Sequence, residues 1–171
     1  MRVPESLLGV GDMTIIDGDN LLWALRQTLE EREITTELEL CRALSRYFAL
    51  TGEPGQVVFD GAGPADRSDF DQIANPEIIF AGFNRDADSV IEERLKVNTS
   101  PRRLTVVSSD RRLRKAAAMR KAAALKSEDF WMQVRRELQR GKPRKAEPQE
   151  KRDGLSESET DQWLEAFGLD Q

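Results

Sequence analysis

Four short apolar segments along the chain are separated by longer stretches in which apolar residues recur every three to four positions. The segments are rich in Ile, Val or Phe and cover residues 13–17, 56–60, 77–81 and 104–108. Runs of this length and composition predict strands that are buried on both faces of a parallel sheet. A short fifth strand is predicted over residues 123–126.

The stretches between these strands have the apolar spacing of helices that place one face on a core. Four such stripes are Leu21, Leu22, Leu25 and Leu29; Leu38, Cys41, Leu44 and Phe48; Ala87, Val90, Ile91 and Leu95; and Phe130, Trp131, Val134 and Leu138. Residues 110–123 are also predicted to be helical, because they are rich in Ala, Arg and Lys. Alternation of strands and helices at these spacings predicts βαβ units and an α/β sandwich with a parallel sheet of four or five strands.

The domain organisation follows from where this alternation begins and stops. Residues 1–12 are predicted to be an N-terminal extension and residues 13–140 the α/β domain. Residues 141–155 place Pro and Gly among charges, which is typical of a polar linker. Residues 156–168 then predict a tethered, C-terminal amphipathic helix.

This C-terminal helix has a large apolar surface for its length. Ser156 and Glu159 have the spacing of a capping box, and Trp163, Leu164 and Phe167 follow. An isolated helix this short is marginal in water, so the helix needs a surface on which to dock. Two alternatives remain open, which are the protein's own surface and a groove on a protein partner.

Composition restricts the chemistry that is available. The 171 residues suit one domain of ordinary size, and they include no His and a single Cys, Cys41. Disulfide frameworks, Cys/His zinc sites and His-dependent triads are therefore excluded. No run approaches the roughly 20 apolar residues that span a membrane, and no secretion signal is visible. A cytoplasmic protein without membrane association is expected.

The charges are segregated along the chain, although the net charge is −5. Nine basic residues and one acidic residue, Asp110, lie between Arg102 and Lys126, and six basic residues with one acidic residue lie in 135–145. Local charge decides which partner is attracted, so these stretches are either solvated helix faces or a surface for a polyanion.

Aspartates stand at the carboxyl ends of three predicted strands, at Asp17, Asp60 and Asp110. Ligands bind at this edge in open α/β sheets. Each aspartate alone has a second interpretation, because Asp is also a common N-cap where a helix follows a strand.

A further acidic group opens the helix after the third strand. Asp88 and Glu92 are four residues apart and share a helix face, whereas Asp86 is expected to be a solvated helix-start residue. Carboxylates that converge repel each other unless a cation neutralises them. Oxygen ligands without His or Cys indicate Mg²⁺ or Mn²⁺, which can assist phosphodiester hydrolysis.

Four motifs, in order, resemble those of one protein family. Residues 15–22 (IIDGDNLL) resemble the opening motif of NYN domains, which are relatives of PIN-domain ribonucleases, and residues 57–61 (VVFDG) resemble their second strand. Residues 87–92 (ADSVIE) are similar to the Ala-Asp helix motif of the YacP-like branch, and residues 105–111 (TVVSSDR) to its strand that ends in Ser-Asp. The order and spacing agree over about residues 13–140.

The resemblance implies a PIN-like, three-layer α/β/α fold and a metal-dependent endoribonuclease that uses Mg²⁺ or Mn²⁺. Asp17, Asp88 and Asp110 would form the metal-binding cluster. Asp60 and Glu92 are second choices, since their carboxylates could serve as outer ligands.

The resemblance also implies a catalytic role for two neutral side chains and a partner, RNA. Asn20 would orient water or phosphate, and Ser109 would hydrogen-bond a carboxylate or the scissile phosphate. The basic residues that follow Asp110 would hold phosphates on either side of the cleaved bond; they are Arg111, Arg112, Arg114 and Lys115. Trp23, Phe130 and Trp131 lie among apolar positions and are predicted to be core residues, so base-specific readout is not predicted.

Two other functions remain as alternatives. One is a non-catalytic RNA-binding or adaptor module of the same fold. The other is a phosphatase, because Asp17 and Asp19 also resemble the nucleophile motif of haloacid dehalogenases. That family needs a later apolar strand with paired acids, which the sequence after residue 110 lacks.

Asp19 departs from the NYN pattern, in which an aromatic residue is usual at this position. Its carboxylate would tighten metal binding, repel RNA or have neither effect.

Overall fold

A computed structural model describes residues 12–28 and 34–141 of the chain. The strands are β1 (Met13–Asp17), β2 (Gly55–Phe59), β3 (Glu77–Phe80), β4 (Leu104–Val107) and β5 (Ala123–Leu125). The helices are α1 (Gly18–Arg26), α2 (Glu37–Thr51), α3 (Ser68–Asp71), α4 (Ala87–Val97), α5 (Arg111–Met119) and α6 (Ser127–Arg140), with a short 3₁₀ turn at Pro101–Arg103.

The five strands form one parallel sheet in the order β3-β2-β1-β4-β5. Successive side chains of a strand point to opposite sides of the sheet, so an apolar strand makes both faces apolar, and helices cover both of them. Ile16 of β1 packs in the cluster beneath α1, α2 and α6, and its neighbour Ile15 packs in the cluster beneath α4 and α5. The predicted α/β/α sandwich with a parallel sheet is confirmed, and the sheet has five strands.

The helix predicted over residues 110–123 is shorter in the structure. α5 ends at Met119, and Lys121 then adopts a left-handed backbone with φ of 62°. Ala123 pairs with Thr105 of β4, so the end of the alanine-rich run becomes β5 instead of continuing the helix. Pairing with a neighbouring strand therefore overrides the local helix propensity of Ala.

The prediction that Trp23 is a core residue is wrong, since 59 % of it is exposed. Leu21, Leu22 and Leu25 turn the opposite side of α1 into the core, so Trp23 faces outward. Phe130 and Trp131 are buried in the cluster beneath α1, α2 and α6, as predicted.

Several predictions lie outside the described residues. They are the N-terminal extension up to residue 11, the linker beyond Gly141, the C-terminal helix and the position of Leu29. Among the helices that the structure describes, none has the length and apolar character needed to cross a membrane.

Gly18 allows β2 to lie close to the start of α1. A Cβ atom at this position would lie 2.4 Å from Cε1 of Phe59. We expect Gly18→Ala to lower the free energy of unfolding by about 1–3 kcal/mol, because the buried ring must shift. Urea unfolding measures this loss. The cost should shrink in a Phe59→Leu background, and an equal cost in both backgrounds would contradict the proposed clash.

Candidate active site

Asp17 lies where β1 ends and α1 begins, at the carboxyl edge of the sheet. Its Oδ1 accepts the backbone N–H of Asn20 at 3.2 Å, which caps α1. Its Oδ2 accepts the hydroxyl of Ser108 at 3.0 Å. Because β1 and β4 are paired neighbours, with Ile16 opposite Val107, Asp17 and Ser108 come side by side. The parallel pairing thus brings the ends of these two motif strands into contact.

The charge on Asp17 is poorly accommodated. Only 6 % of the residue is exposed, and burial raises the pKa of Asp17 to about 6. The hydrogen bonds from Asn20 and Ser108 lower the pKa, whereas the nearby carboxylates of Asp88 and Asp19 raise it further. A buried carboxylate with other carboxylates close by favours binding of either a proton or a cation.

The other two acids of the predicted cluster lie on neighbouring helices. Asp88 is in the first turn of α4, and Asp110 is the N-cap of α5, where its Oδ1 accepts the backbone N–H groups of Arg112 and Leu113. Burial raises the pKa of Asp88, the carboxylate of Asp110 raises it further, and the guanidinium of Arg112 lowers it.

Asp17, Asp88 and Asp110 therefore share one negatively charged region. In the described ranges, however, no three Asp, Glu, Cys or His side chains stand close enough together to hold a metal ion by themselves. Asp17 and Asp110 each cap a helix and also belong to the negatively charged region, so the two interpretations do not exclude each other.

Asp60 has a structural role at the end of β2. Its backbone N–H donates to Oδ2 of Asp19 at 2.7 Å, and its own Oδ1 accepts the N–H of Ala87 at 2.7 Å. The carboxylates of Asp19 and Asp60 thus connect α1, β2 and α4. Burial, together with the charge of Asp60, raises the pKa of Asp19. Asp86 is the exposed N-cap of α4, as predicted.

Glu92 is engaged by a cation of the chain. Its two carboxylate oxygens accept from Nε and Nη2 of Arg112 at 2.8 and 3.1 Å. Nη1 of the same guanidinium lies 3.9 Å from Oδ2 of Asp88. Arg112, predicted to contact RNA, therefore lies among the acids of the site.

Asn20 is held by residues of two other elements. Its Oδ1 accepts the N–H of Ser109 at 2.9 Å and the hydroxyl of Ser127 at 2.7 Å. The hydroxyl of Ser109 accepts the N–H of Ser127 at 3.1 Å and donates to Glu128 at 2.6 Å. With the carbonyl oxygen fixed in this way, the NH₂ group of Asn20 is directed away from these donors and can donate to a ligand.

Ser108, Ser127 and Glu128 were not among the site residues predicted from the sequence. Ser127 is fully buried at the start of α6 and is 107 residues from Asn20 along the chain. Its role depends on the packing of α6 against α1, so no local sequence signal could have shown it.

The predicted phosphate-binding residues differ in their environments. Arg111 and Lys115 are exposed on α5, and neither forms an ion pair within the part of the chain that the structure describes. Arg114 is half-buried, with its Nε unpaired.

Phe83, in the loop between β3 and α4, is 92 % exposed. The backbone N–H of Gly82 in this loop donates a hydrogen bond to the carbonyl of Gly61 at 2.8 Å.

Comparisons with known proteins agree with this fold. The sequence model of one family, the YacP-like NYN domain, matches residues 14–167. That range includes the predicted linker and nearly all of the predicted C-terminal helix. No curated protein matches the chain in sequence.

Two solved structures are similar to the described fold. The structure of Rae1 (YacP) from Bacillus subtilis has a TM-score of 0.61 at 22% identity and covers 92% of this chain and 88% of its own. A single-residue mutant of that protein has a TM-score of 0.57 at 22% identity, with 75% of this chain and 78% of its own covered. At this identity the similarity establishes a shared fold.

Proposed function

Because the chain belongs to the YacP-like NYN domain family, whose PIN-like domains are of the nuclease type, we propose that it is an endoribonuclease that hydrolyses RNA phosphodiesters with Mg²⁺ or Mn²⁺. The observation that carries the proposal is the buried Asp17 carboxylate, which faces the charge of Asp88, itself beside Asp110, at the edge where α/β sheets bind ligands.

The donor chemistry of this edge fits a hard divalent cation. Asp17 and Asp88 would hold the ion, and Asp110, which uses only Oδ1 to cap α5, would add its charge. Mg²⁺ commonly takes one or two carboxylates and completes its shell with water and substrate phosphate, so three converging protein ligands are not required. A bound ion would supply an activated water and offset negative charge on the phosphate.

Asn20 and Ser109 have different roles in this proposal. The fixed NH₂ group of Asn20 donates to a phosphate oxygen, next to the carboxylate of Asp17. Ser109 is engaged by Glu128 and Ser127, so it positions Asn20 and joins β4 to α6. In this proposal Ser109 therefore acts through Asn20 and Glu128 and does not contact the phosphate.

RNA would approach over the start of α5 and the loop that carries Phe83. Arg111 and Lys115 are exposed there and would contact phosphates, whereas Arg112 is engaged by Glu92. The exposed ring of Phe83 provides a surface on which a single-stranded base could stack.

Charge reversal tests the RNA contacts. Arg111→Glu with Lys115→Glu is expected to weaken RNA binding about tenfold or more at low salt and to flatten the salt dependence, because two phosphate contacts are lost. Fluorescence anisotropy in EDTA measures binding without cleavage. The matched control is Arg42→Glu with Arg46→Glu, exposed positions on α2 with the same change in net charge. Equal losses in the two variants would contradict a local RNA surface.

A cleavage assay separates the proposed enzyme from the alternative of a non-catalytic RNA-binding module. The full chain is incubated with labelled unstructured and structured RNAs in Mn²⁺, Mg²⁺ or EDTA. The proposal predicts products only when a divalent ion is present. Salt-sensitive RNA binding without products in any condition would favour the RNA-binding module. The haloacid-dehalogenase alternative loses its basis, because the chain belongs to another family.

We also propose that the segment 156–168 docks either on the chain's own surface or on a protein partner, and that the protein is cytoplasmic.

A further inference from the structure

Arg112 is surrounded by acids at the edge that carries the proposed active site. Its guanidinium makes a two-pronged hydrogen bond to Glu92, and its Nη1 lies 3.9 Å from Asp88. The charge of Asp86, the N-cap of α4, also acts on the guanidinium. A positive charge of the chain therefore already lies where the acids favour a cation.

The position of this guanidinium is fixed by two helices. Arg112 is the second residue of α5, and its backbone N–H donates to Oδ1 of Asp110 at 2.6 Å. Glu92 lies on α4, and the next residue along α5, Leu113, is buried with Ile91 in the same cluster. The ion pair thus joins two helices whose adjoining residues are packed together, and the two-pronged geometry fixes the orientation of both groups.

Two consequences for cation binding follow from this geometry. Both oxygens of Glu92 accept from a guanidinium, which turns this carboxylate toward Arg112 and offsets its negative charge, so it attracts a divalent ion less while the pair is intact. The guanidinium also offsets the negative charge of Asp88, which weakens the attraction between Asp88 and a divalent ion. Each effect lowers the affinity of the acidic cluster for a cation.

We propose that Arg112 sets the divalent-ion affinity of the acidic cluster, because it holds Glu92 away from the ion and places a positive charge beside Asp88. Arg112 is thus a positioning residue and not an RNA contact. The inference rests on the proposed function, since it requires that the cluster binds a divalent ion.

Binding of Mn²⁺ to the full chain, followed by the electron paramagnetic resonance signal of free Mn²⁺, tests this inference without an activity assay. Arg112→Gln is expected to bind Mn²⁺ about tenfold more tightly than the unaltered chain, because one nearby positive charge is lost and one carboxylate is released. In the double variant Arg112→Gln/Glu92→Gln, part of this gain should disappear.

The matched control is Arg85→Gln, which removes the same charge from another ion pair that involves α4, between Arg85 and Glu93 at 2.6 Å. This control should bind Mn²⁺ as the unaltered chain does. Arg112→Lys is the second test variant, because it keeps the charge but loses the two-pronged geometry, and a gain smaller than that of Arg112→Gln is expected. Circular dichroism checks that each variant is folded, and Arg112→Lys decides the question if Arg112→Gln does not fold.

The outcomes distinguish this inference from the proposed function. Tighter binding by the Arg112 variants, with Arg85→Gln unchanged, supports the inference. Equal affinity of the unaltered chain and the Arg112 variants overturns it and leaves the metal site in place. Equal gains in the Arg112 and Arg85 variants also overturn it, since net charge alone would then explain the effect. If none of the chains binds Mn²⁺, both the inference and the proposed metal site are wrong.

Discussion

Replacing Asp17 by asparagine is expected to reduce metal-dependent RNA cleavage by at least about 100-fold, because a divalent ion contributes several kcal/mol to phosphodiester hydrolysis. The asparagine side chain would lack the charge that binds the ion, yet its carbonyl oxygen could still accept the N–H of Asn20 and cap α1. The loss of activity should therefore occur in a folded protein. Single-turnover cleavage of one labelled RNA measures the effect.

Asp71→Asn provides the control for this substitution. Asp71 is exposed at the end of α3, and it takes no part in the hydrogen bonds of the proposed site. This variant should cleave RNA at the unaltered rate. Unchanged cleavage by Asp17→Asn would show that the activity arises at another site or from a contaminant.

The same substitution is expected to stabilise the metal-free protein at high pH. Burial raises the pKa of Asp17 from 3.8 to about 6, so at pH 8 the folded state carries a charge that the unfolded state accommodates more easily. The pKa difference corresponds to about 3 kcal/mol at most. Asp17→Asn removes this cost, and we expect a gain of about 1–3 kcal/mol in the free energy of unfolding at pH 8.

The pH dependence of this gain follows from the direction of the pKa shift. As the pH falls through about 6, the folded chain takes up a proton on Asp17, whereas the unfolded chain does so only near 3.8. The unaltered protein therefore gains stability from this group between about pH 7 and pH 4, and Asp17→Asn does not. Urea unfolding in EDTA at pH 8 and pH 5 should show the advantage of the variant shrinking at pH 5. An equal gain in the free energy of unfolding at pH 8 and pH 5 would contradict the raised pKa of Asp17.

The fold could be predicted largely from the sequence because the strands are buried on both faces. Val57 and Val58 point to opposite sides of the sheet and are both fully buried, so the strand appears as a continuous apolar run. The short strand β5 was also predicted, over residues 123–126, but the helix before it ends at Met119 and not at residue 123 as predicted. Its alanines favour a helix locally, whereas the pairing of Ala123 with Thr105 of β4 fixes where the strand lies.

The acids of the candidate site could be located from sequence, whereas their partners could not. Asp17 and Asp110 stand at strand ends, which the apolar runs define. Arg112 also follows a strand end, and sequence position alone made it a candidate RNA contact. Its pairing with Glu92, 20 residues away, depends on how α4 and α5 pack. The prediction that Trp23 is buried was wrong for a related reason. Trp23 lies in a leucine-rich stretch, but its side chain faces away from the core.

A Mn²⁺ titration of single-turnover cleavage tests most directly whether carboxylates at the carboxyl edge of the sheet support RNA cleavage by a divalent ion. The unaltered chain is compared with Asp88→Asn, since Asp88 caps no helix and its charge faces both Asp17 and Asp110. We predict no cleavage in EDTA, a rate that saturates with Mn²⁺ for the unaltered chain, and a higher Mn²⁺ requirement or loss of cleavage for Asp88→Asn. Cleavage that persists in EDTA, or identical titration curves for the two chains, would contradict this role of the carboxylates.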